Sequence, residues 1–213
     1  RDRFGIKPMY YILNKGILGF SSELKSFKYL PGFRFNLDHS KLDEYLIFRN
    51  NLNDTLFQNV QALSPGYYLE YTYSVGVLLK QYFNINSYSR PVSSPDGLDD
   101  YLNRIEQFLG KSVRSQLMSD VRLGCQLSGG VDSSLVTWLA NRNSNKGNFE
   151  SVSIVFENQR YSEEKYVDHV SKALGIVSHK FKLNSEYFVD NIEQATWHLE
   201  SPINHPNTIG IYK

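Results

Sequence analysis

Leu127-Ser128-Gly129-Gly130-Val131-Asp132-Ser133-Ser134 is the stretch from which the rest of this 213-residue chain is best read. It follows a short apolar run, Leu123 to Leu127, and leads into Ser133 to Asn141, where Leu135, Val136, Leu139 and Ala140 are expected to form the buried side of a helix. A strand that turns through two glycines into a helix is a connection at the carboxyl end of a parallel sheet, where open α/β sheets bind ligands. The helix start there presents N–H groups without intrahelical acceptors and about half a unit of positive charge, which suits phosphate. Gly129 and Gly130 let the backbone curl so that several N–H groups converge on one anion, and Ser128, Ser133 and Ser134 add hydroxyls. Asp132 is the odd member, because a carboxylate repels bound phosphate unless a cation intervenes; it is expected to hold Mg²⁺. No Gly-Lys-Ser/Thr is present, so this is not a Walker P-loop. The plain alternative is a glycine turn with Asp132 or Ser133 as an ordinary helix N-cap.

Outward from the loop, strands and helices alternate. Val152 to Phe156 reads as a second strand, and a helix from Glu163 turns Tyr166, Val167, Val170, Ala173 and Leu174 inward before stopping at Gly175. His179 to Leu183 is a third strand and Glu186 to His198 a further helix. This order predicts a parallel sheet covered on both faces, with right-handed crossovers. Upstream, Leu98, Leu102, Ile105, Phe108, Leu109, Val113 and Leu117 recur at helical spacing, with Asp96 near the start of the helix. Ser87 to Gly97 has two prolines, four serines and a glycine, and reads as a linker.

Before that linker the pattern changes to hairpins. Pro8 to Leu13 and Ile17 to Ser21 flank Asn14-Lys15-Gly16; Tyr67 to Tyr73 and Val77 to Phe83 flank Ser74-Val75-Gly76. Two short helices are expected between them. One is capped by Ser21 or Ser22 and stopped by Pro31-Gly32; the other opens at Leu37-Asp38-His39-Ser40, with Leu42, Tyr45, Leu46 and Phe48 near one face. The tyrosines read as half-buried sheet faces rather than a platform for bases.

Composition narrows the partners. Hydrophobic residues make up 41% and charged residues 21%, as in a globular chain, and 23 Lys+Arg against 22 Asp+Glu leave a formal charge of +1. That balance argues against nucleic acid or anionic lipid as the main partner. No apolar run approaches the roughly 18 residues of a membrane span, so a cytoplasmic protein is expected. Cys125 is the only cysteine, which excludes a disulfide framework or a cysteine-rich metal site; in mid-strand it reads as a small buried hydrophobe. With Arg1 opening on a strand approach and no terminal signal at Lys213, the chain reads as an internal fragment.

Several motifs together resemble the asparagine synthetase family, glutamine-dependent enzymes that join a class II glutaminase domain to an ATP pyrophosphatase domain. Arg1-Asp2-Arg3-Phe4-Gly5-Ile6-Lys7-Pro8 with Met9-Tyr10-Tyr11, Ser22-Glu23-Leu24-Lys25, and Leu63-Ser64-Pro65-Gly66 are similar to late glutaminase motifs. Ser119-Asp120-Val121 and Leu127 to Ser134 resemble the synthetase entry. The resemblance implies an α+β remnant of an antiparallel glutaminase domain over residues 1–86, a linker at 87–97, and the start of an α/β parallel-sheet ATP pyrophosphatase domain over 98–213. It implies ATP and Mg²⁺ as cofactors and aspartate, glutamine and ATP as substrates, with no nucleic acid and no membrane, and a homodimer is considered as the assembly. Pyrophosphate would rest on Ser128, Gly129, Gly130, Val131, Asp132, Ser133 and Ser134, with Mg²⁺ on Asp132. Leu127 and Ile154, at the ends of adjacent strands, would touch adenosine. The reaction implied is adenylation of aspartate, then attack by glutamine-derived ammonia.

The family's nucleophilic cysteine and its second synthetase signature do not occur in this sequence, so neither glutamine hydrolysis nor amide formation is assigned to residues here. Ser162 and Ser178 stand where the family often has Asp and His. Glu163 and Glu164 read as complements to a helix dipole, His179 as a partly buried strand residue, and Arg104, Lys111, Arg114 and Arg122 as solvated cations. Glu200-Ser201-Pro202 resembles a Glu-Pro segment lining the synthetase cleft. Competing readings are an acyl-adenylating relative such as a β-lactam synthetase or sugar amidotransferase, a nucleotide-dependent RNA-modifying enzyme, and a noncatalytic ATP-binding module.

Overall fold

The computed structural model describes residues 1–51, 54–89, 97–144, 149–205 and 207–212. The chain divides into two compact units, Arg1–Pro91 with Thr196–Asn204, and Val92–Ala195 with His205–Lys213. Most of the expected linker, residues 90–96 with Asp96, lies outside the described residues.

In the first unit, β1 (Tyr10–Asn14) and β2 (Ile17–Ser21) pair antiparallel, and β3 (Gln61–Ala62) adds to the other edge of β1. Lys15 and Gly16 both have positive φ, the two-residue turn whose twist suits a hairpin. Below this sheet, Ile12, Leu24, Phe27 and Val60 form a core that continues edge-to-face through Phe33, Phe35 and Phe57. β4 (Tyr67–Thr72) and β5 (Gly76–Gln81) make the second hairpin. β4 alternates between half-buried and exposed residues: Tyr67 and Tyr71 take the half-buried face, but Tyr68 is exposed, as are Tyr73 and Tyr82 beside the strands, and β5 is exposed along most of its length.

The opening octapeptide closes on itself. The Arg1 guanidinium donates to the carbonyls of Gly5, Lys7 and Leu63 at 2.7–3.0 Å, and the Asp2 carboxylate accepts N–H groups from Phe4, Ile6 and Lys7. The Lys7 N–H, the largest contributor, holds the Asp2 carboxyl below its usual range. This motif therefore acts as a structural turn. The Arg1 and Asp2 side chains both bond the backbone.

The helices depart from expectation at their caps and faces. Leu24–Tyr29 is a 3₁₀ helix whose N-cap is Glu23, not a serine. The N–H groups of Leu24 and Lys25 donate instead to the two carboxylate oxygens of Glu200, each at 2.6 Å, within the first unit. Glu200 sits at φ 58° with its side chain nearly buried, and Lys25 Nζ lies 3.5 Å away. Both oxygens of Glu200 thus face the backbone of the Ser-Glu-Leu-Lys motif. A 3₁₀ turn, His39–Lys41, capped by Asp38, leads into α1 (Leu42–Phe48), which buries none of its residues.

The second unit holds α2 (Leu98–Gln116), β6 (Gly124–Gln126), α3 (Val131–Asn143), β7 (Glu150–Phe156), α4 (Glu164–Leu174), β8 (Val177–Leu183), the Ser185–Ala195 part of α5 (Ser185–Leu199), and α6 (Asn207–Tyr212). The strands form one parallel sheet in the order β6-β7-β8, as the alternation predicts. The apolar face of α2 is present in sequence but not buried among the described residues: Leu98, Leu102, Ile105 and Phe108 are all exposed.

Hydroxyl residues explain why two other faces differ from expectation. On α3, Leu139 and Ala140 are buried, but Leu135 and Val136 face outward and Thr137 takes the interior place. Thr137 closes its hydroxyl on Ser133 O at 2.7 Å and meets Cys125 Sγ, so burying it leaves no polar atom unpaired. On α4, Tyr166 and Ala173 are exposed, and Ser171, bonded to Val167 O, is buried below Val167. His179, expected to be partly buried, is exposed and bonded to Glu150 at 2.8 Å.

Two outcomes follow. Ile12→Ala, at a core position that is 1% exposed, should cost about 2–5 kcal/mol in a urea titration. Lys180 of β8 bonds Glu164 and Asp168 of α4 at 2.8 Å, and its bond to Glu164 chiefly holds that carboxyl below its usual value. Stability from a lowered carboxyl is present above the unfolded value, about 4.3, and is lost as pH falls through the folded one. Lys180→Met should therefore lower the urea midpoint near neutral pH, with a gap from the parent that closes in acid.

Candidate nucleotide site

The loop predicted to hold phosphate joins β6 to α3, at the carboxyl end of the parallel sheet. Gly129 alone of its two glycines has positive φ, at 84°; Gly130 is the N-cap at φ −70°, ψ 166°, and no side chain caps the helix. The N-cap roles considered for Asp132 and Ser133 are thus not the ones adopted. The first intrahelical bond runs from Ser134 N–H to Gly130 O at 3.0 Å, so the N–H groups of Val131, Asp132 and Ser133 precede it.

Within the loop, Ser128 Oγ and Ser133 Oγ are 2.9 Å apart, Ser133 Oγ donates to Gly130 O, and Gly130 N–H reaches Ser128 Oγ at 3.4 Å. Two of the three serines therefore fix the loop's own shape. Ser134 Oγ is buried without a hydrogen-bond partner among the described residues. Asp132 and Val131 are exposed, and Asp132 has no ion pair among the described residues. No cluster of three or more His, Cys, Asp or Glu suited to a metal occurs among the described residues. A single carboxylate fits Mg²⁺ when substrate phosphates supply further oxygens.

The strand ends beneath the loop are fixed by hydrogen bonds. Leu127 N–H donates to Val152 O at 2.9 Å, and Ser153 Oγ donates to Leu127 O at 2.7 Å. Ser178 Oγ lies 3.1 Å from Ser153 Oγ and supplies the donor that Ser153 has used. Ser178, a departure in the sequence, here completes a chain of hydroxyls under the loop. Leu127 is 1% exposed, and Ile154 is partly buried, packed where Gly210 of α6 leaves no space for a Cβ. Leu127 follows the last residue of β6, whereas Ile154 lies within β7, two residues before its end, and much of each side chain is occupied by protein.

Sequence reading missed the start of α4. A Cβ on Gly129 would fall 2.7 Å from Tyr166 Cβ and 3.0 Å from Val167 N, so this helix presses on the loop. A cleft of about 860 Å³ opens beside it, lined by Gln159, Arg160, Glu163, Lys165, Tyr166 and His205 among others. A second, more apolar cavity of about 590 Å³ lies past the ends of β7 and β8, against Leu183, Phe188 and Ile209. Cys125 is half-buried, and burial raises its thiol pKa.

An antiparallel first unit and a parallel second unit, with a glycine-serine loop opening a helix at the sheet's carboxyl end, are consistent with an amidotransferase-like then synthetase-like arrangement. The asparagine synthase family pattern matches residues 104–213, and the glutamine amidotransferase domain pattern matches residues 1–83. The chain belongs to the asparagine synthase family. It is 29% identical over 213 residues to asparagine synthetase [glutamine-hydrolyzing] 1 of Bacillus subtilis, covering 100% of this chain and 33% of that protein. Asparagine synthetase [glutamine-hydrolyzing] 3 of the same organism is 27% identical, over 92% of the chain and 33% of the relative. Amidase chyE of Penicillium rubens is likewise 27% identical, over 99% and 33%. The chain thus spans about a third of the length of the curated relatives it matches. A solved glutamine-dependent NAD+ synthetase from Acinetobacter baumannii, in complex with ADP, aligns at TM-score 0.36 and 13% identity over 81% of this chain and 36% of that one.

The two glycines should respond differently to substitution. Gly129→Ala meets both a strained φ and the α4 backbone, and should lose about 1–3 kcal/mol in a urea titration. Gly130→Ala, with only Ser128 Oγ at 3.5 Å nearby, should lose less than about 1 kcal/mol. Equal losses would contradict this placement.

Proposed function

We propose that this chain carries the nucleotide end of an ATP-dependent amide-forming site, in which a carboxylic acid is activated as an acyl-adenylate and then aminated by ammonia. The observation that carries the reading is the loop itself: Gly129 at φ 84°, Gly130 as an uncapped helix start, and exposed Asp132 in the first turn. The first-turn N–H groups of α3 would bind the β- and γ-phosphates, with the Ser128–Ser133 pair holding the loop in shape and Leu127 and Ile154 against the adenosine. Mg²⁺, held by Asp132 and the phosphates, would offset the charge that builds on departing pyrophosphate.

The chemistry balances. A carboxylate oxygen of the acceptor attacks the α-phosphorus, and the bridging oxygen leaves with pyrophosphate. Ammonia then adds to the acyl carbon, AMP departs with the bond pair, and the nitrogen gives up a proton. A free carboxylate is a poor acyl donor, and adenylation supplies the leaving group it lacks. Aspartate is the acceptor that family membership favours. A relative named an amidase matches at the same 27% identity as one named a synthetase.

In the complete protein, the ammonia would come from glutamine hydrolysis in the domain that residues 1–83 match. That step needs an activated thiolate with its own base. Cys125 does not fill this role: it lies in β6, bonded to Thr137, with its thiol pKa raised by burial. No helix among the described residues is long and apolar enough to cross a membrane.

Asp132→Asn tests the metal assignment. Titrating ATP into the parent and the variant, with and without Mg²⁺, should show that Mg²⁺ strengthens binding by the parent and has little effect on the variant. The same Mg²⁺ dependence in both would refute the role given to Asp132.

A further inference from the structure

The hydroxyls under the phosphate loop belong to one continuous path that runs from β8 to the start of α3. Ser178 of β8 is in register with Ser151 of β7, yet its Oγ lies 3.1 Å from Ser153 Oγ. Ser153 gives its only hydroxyl proton to Leu127 O at 2.7 Å, so Ser178 is the donor of that pair. The Leu127 carbonyl and the Ser128 N–H belong to one rigid peptide plane and point to opposite sides of the chain. On the far side, Ser128 N–H donates to Ser133 Oγ at 3.3 Å. Ser133 in turn donates to the carbonyl of Gly130, the N-cap of α3, at 3.1 Å. A residue on β8 is thereby connected to the helix start through two hydroxyls and one peptide plane.

Two serines on the same face of β7 make the contrast sharp. Ser153 is 2% exposed and bonded on both sides, whereas Ser151 is 0% exposed and its Oγ has no partner among the described residues. We infer that Ser153 and Ser178 are positioning residues for phosphate binding, holding the Leu127–Ser128 peptide at the angle that keeps Ser133 on Gly130 and the first-turn N–H groups of α3 aimed together. Both act through the backbone. Without the Ser153 hydroxyl, Leu127 O loses its side-chain donor, and the peptide plane is free to rotate away from Ser133. The inference rests on the nucleotide reading above for its ligand; the hydroxyl path belongs to the folded unit itself.

The test compares five forms of the full chain: the parent, Ser153→Ala, Ser178→Val, Ser178→Thr and Ser151→Ala. Mg-ATP affinity is measured by calorimetric titration, stability by urea, and amide shifts of the ¹⁵N-labelled protein without nucleotide. Ser153→Ala should weaken Mg-ATP by about fivefold or more, the scale of one hydrogen bond. Ser178→Val should weaken it in the same direction by about twofold or more, since a donor that polarises the next bond is lost. Ser178→Thr, of the same shape as Val but with the hydroxyl kept, should bind as the parent does, and so should Ser151→Ala, which loses no bond. The amides of Ser128, Gly130 and Ser134 should be displaced in the two weakened variants and not in the two controls. Lowered urea midpoints with parent affinity and unmoved loop amides would reduce both serines to a structural role and overturn the inference, as would failure of Ser178→Thr to rescue. Absence of Mg-ATP binding by the parent refutes the nucleotide reading, and the phosphate role given to these serines falls with it. Mg-ATP binding that is equal in all five forms leaves the nucleotide reading standing and refutes the positioning role alone.

Discussion

The approach of α4 to the backbone of Gly129 is the constraint on which the second unit's site depends. No side chain fits there, since a Cβ would lie 2.7 Å from Tyr166 Cβ, and φ at 84° is itself a conformation that L residues avoid. With both conditions met, the chain leaves β6, turns sharply and enters α3 with Gly130 as N-cap, leaving the first-turn N–H groups unbonded within the helix. Strain and close packing at one residue thus shape the uncapped start of another element. The same contact brings Tyr166 between loop and cleft, so the two features share one wall.

A second theme is how small hydroxyl residues let this unit pack closely. Thr137, Ser153 and Ser171 are buried in places where hydrophobicity alone would put aliphatic side chains, and each bonds a carbonyl oxygen. Because their polar atoms are paired locally, burying them leaves little desolvation uncompensated. Ser153 does more, since its bond to Leu127 O fixes the last residue before the loop. Ser151 Oγ and Ser134 Oγ are the exceptions, buried with no partner among the described residues.

These details explain what could be read from sequence and what could not. The element order, the hairpins, the parallel sheet and the loop position were legible because each rests on local pattern: β-formers around turn residues, apolar periodicity, and two glycines between a strand and a helix. The faces of α3 and α4 were not, because assigning them by apolar character passes over Thr137 and Ser171, whose polarity is cancelled by bonds to residues four positions back. Distinguishing Gly129 from Gly130 needed the position of α4, a contact between residues more than thirty apart in sequence. Glu200 was legible as a notable glutamate, but not as the carboxylate that receives the N–H groups of Leu24 and Lys25, since that pairing spans about 175 residues. Arg160, Glu163 and Lys165, which have no ion pair among the described residues, look in sequence like any charged surface turn.

The central claim is that the turn between β6 and α3 is a polyphosphate site. Amide shifts of the ¹⁵N-labelled chain, followed as Mg-ATP is added, test it most directly. The account predicts saturable shifts concentrated at residues 127–134, with a smaller response at Ile154 and Tyr166. Saturable shifts elsewhere, with the amides of Gly129 to Ser133 unmoved, would contradict it.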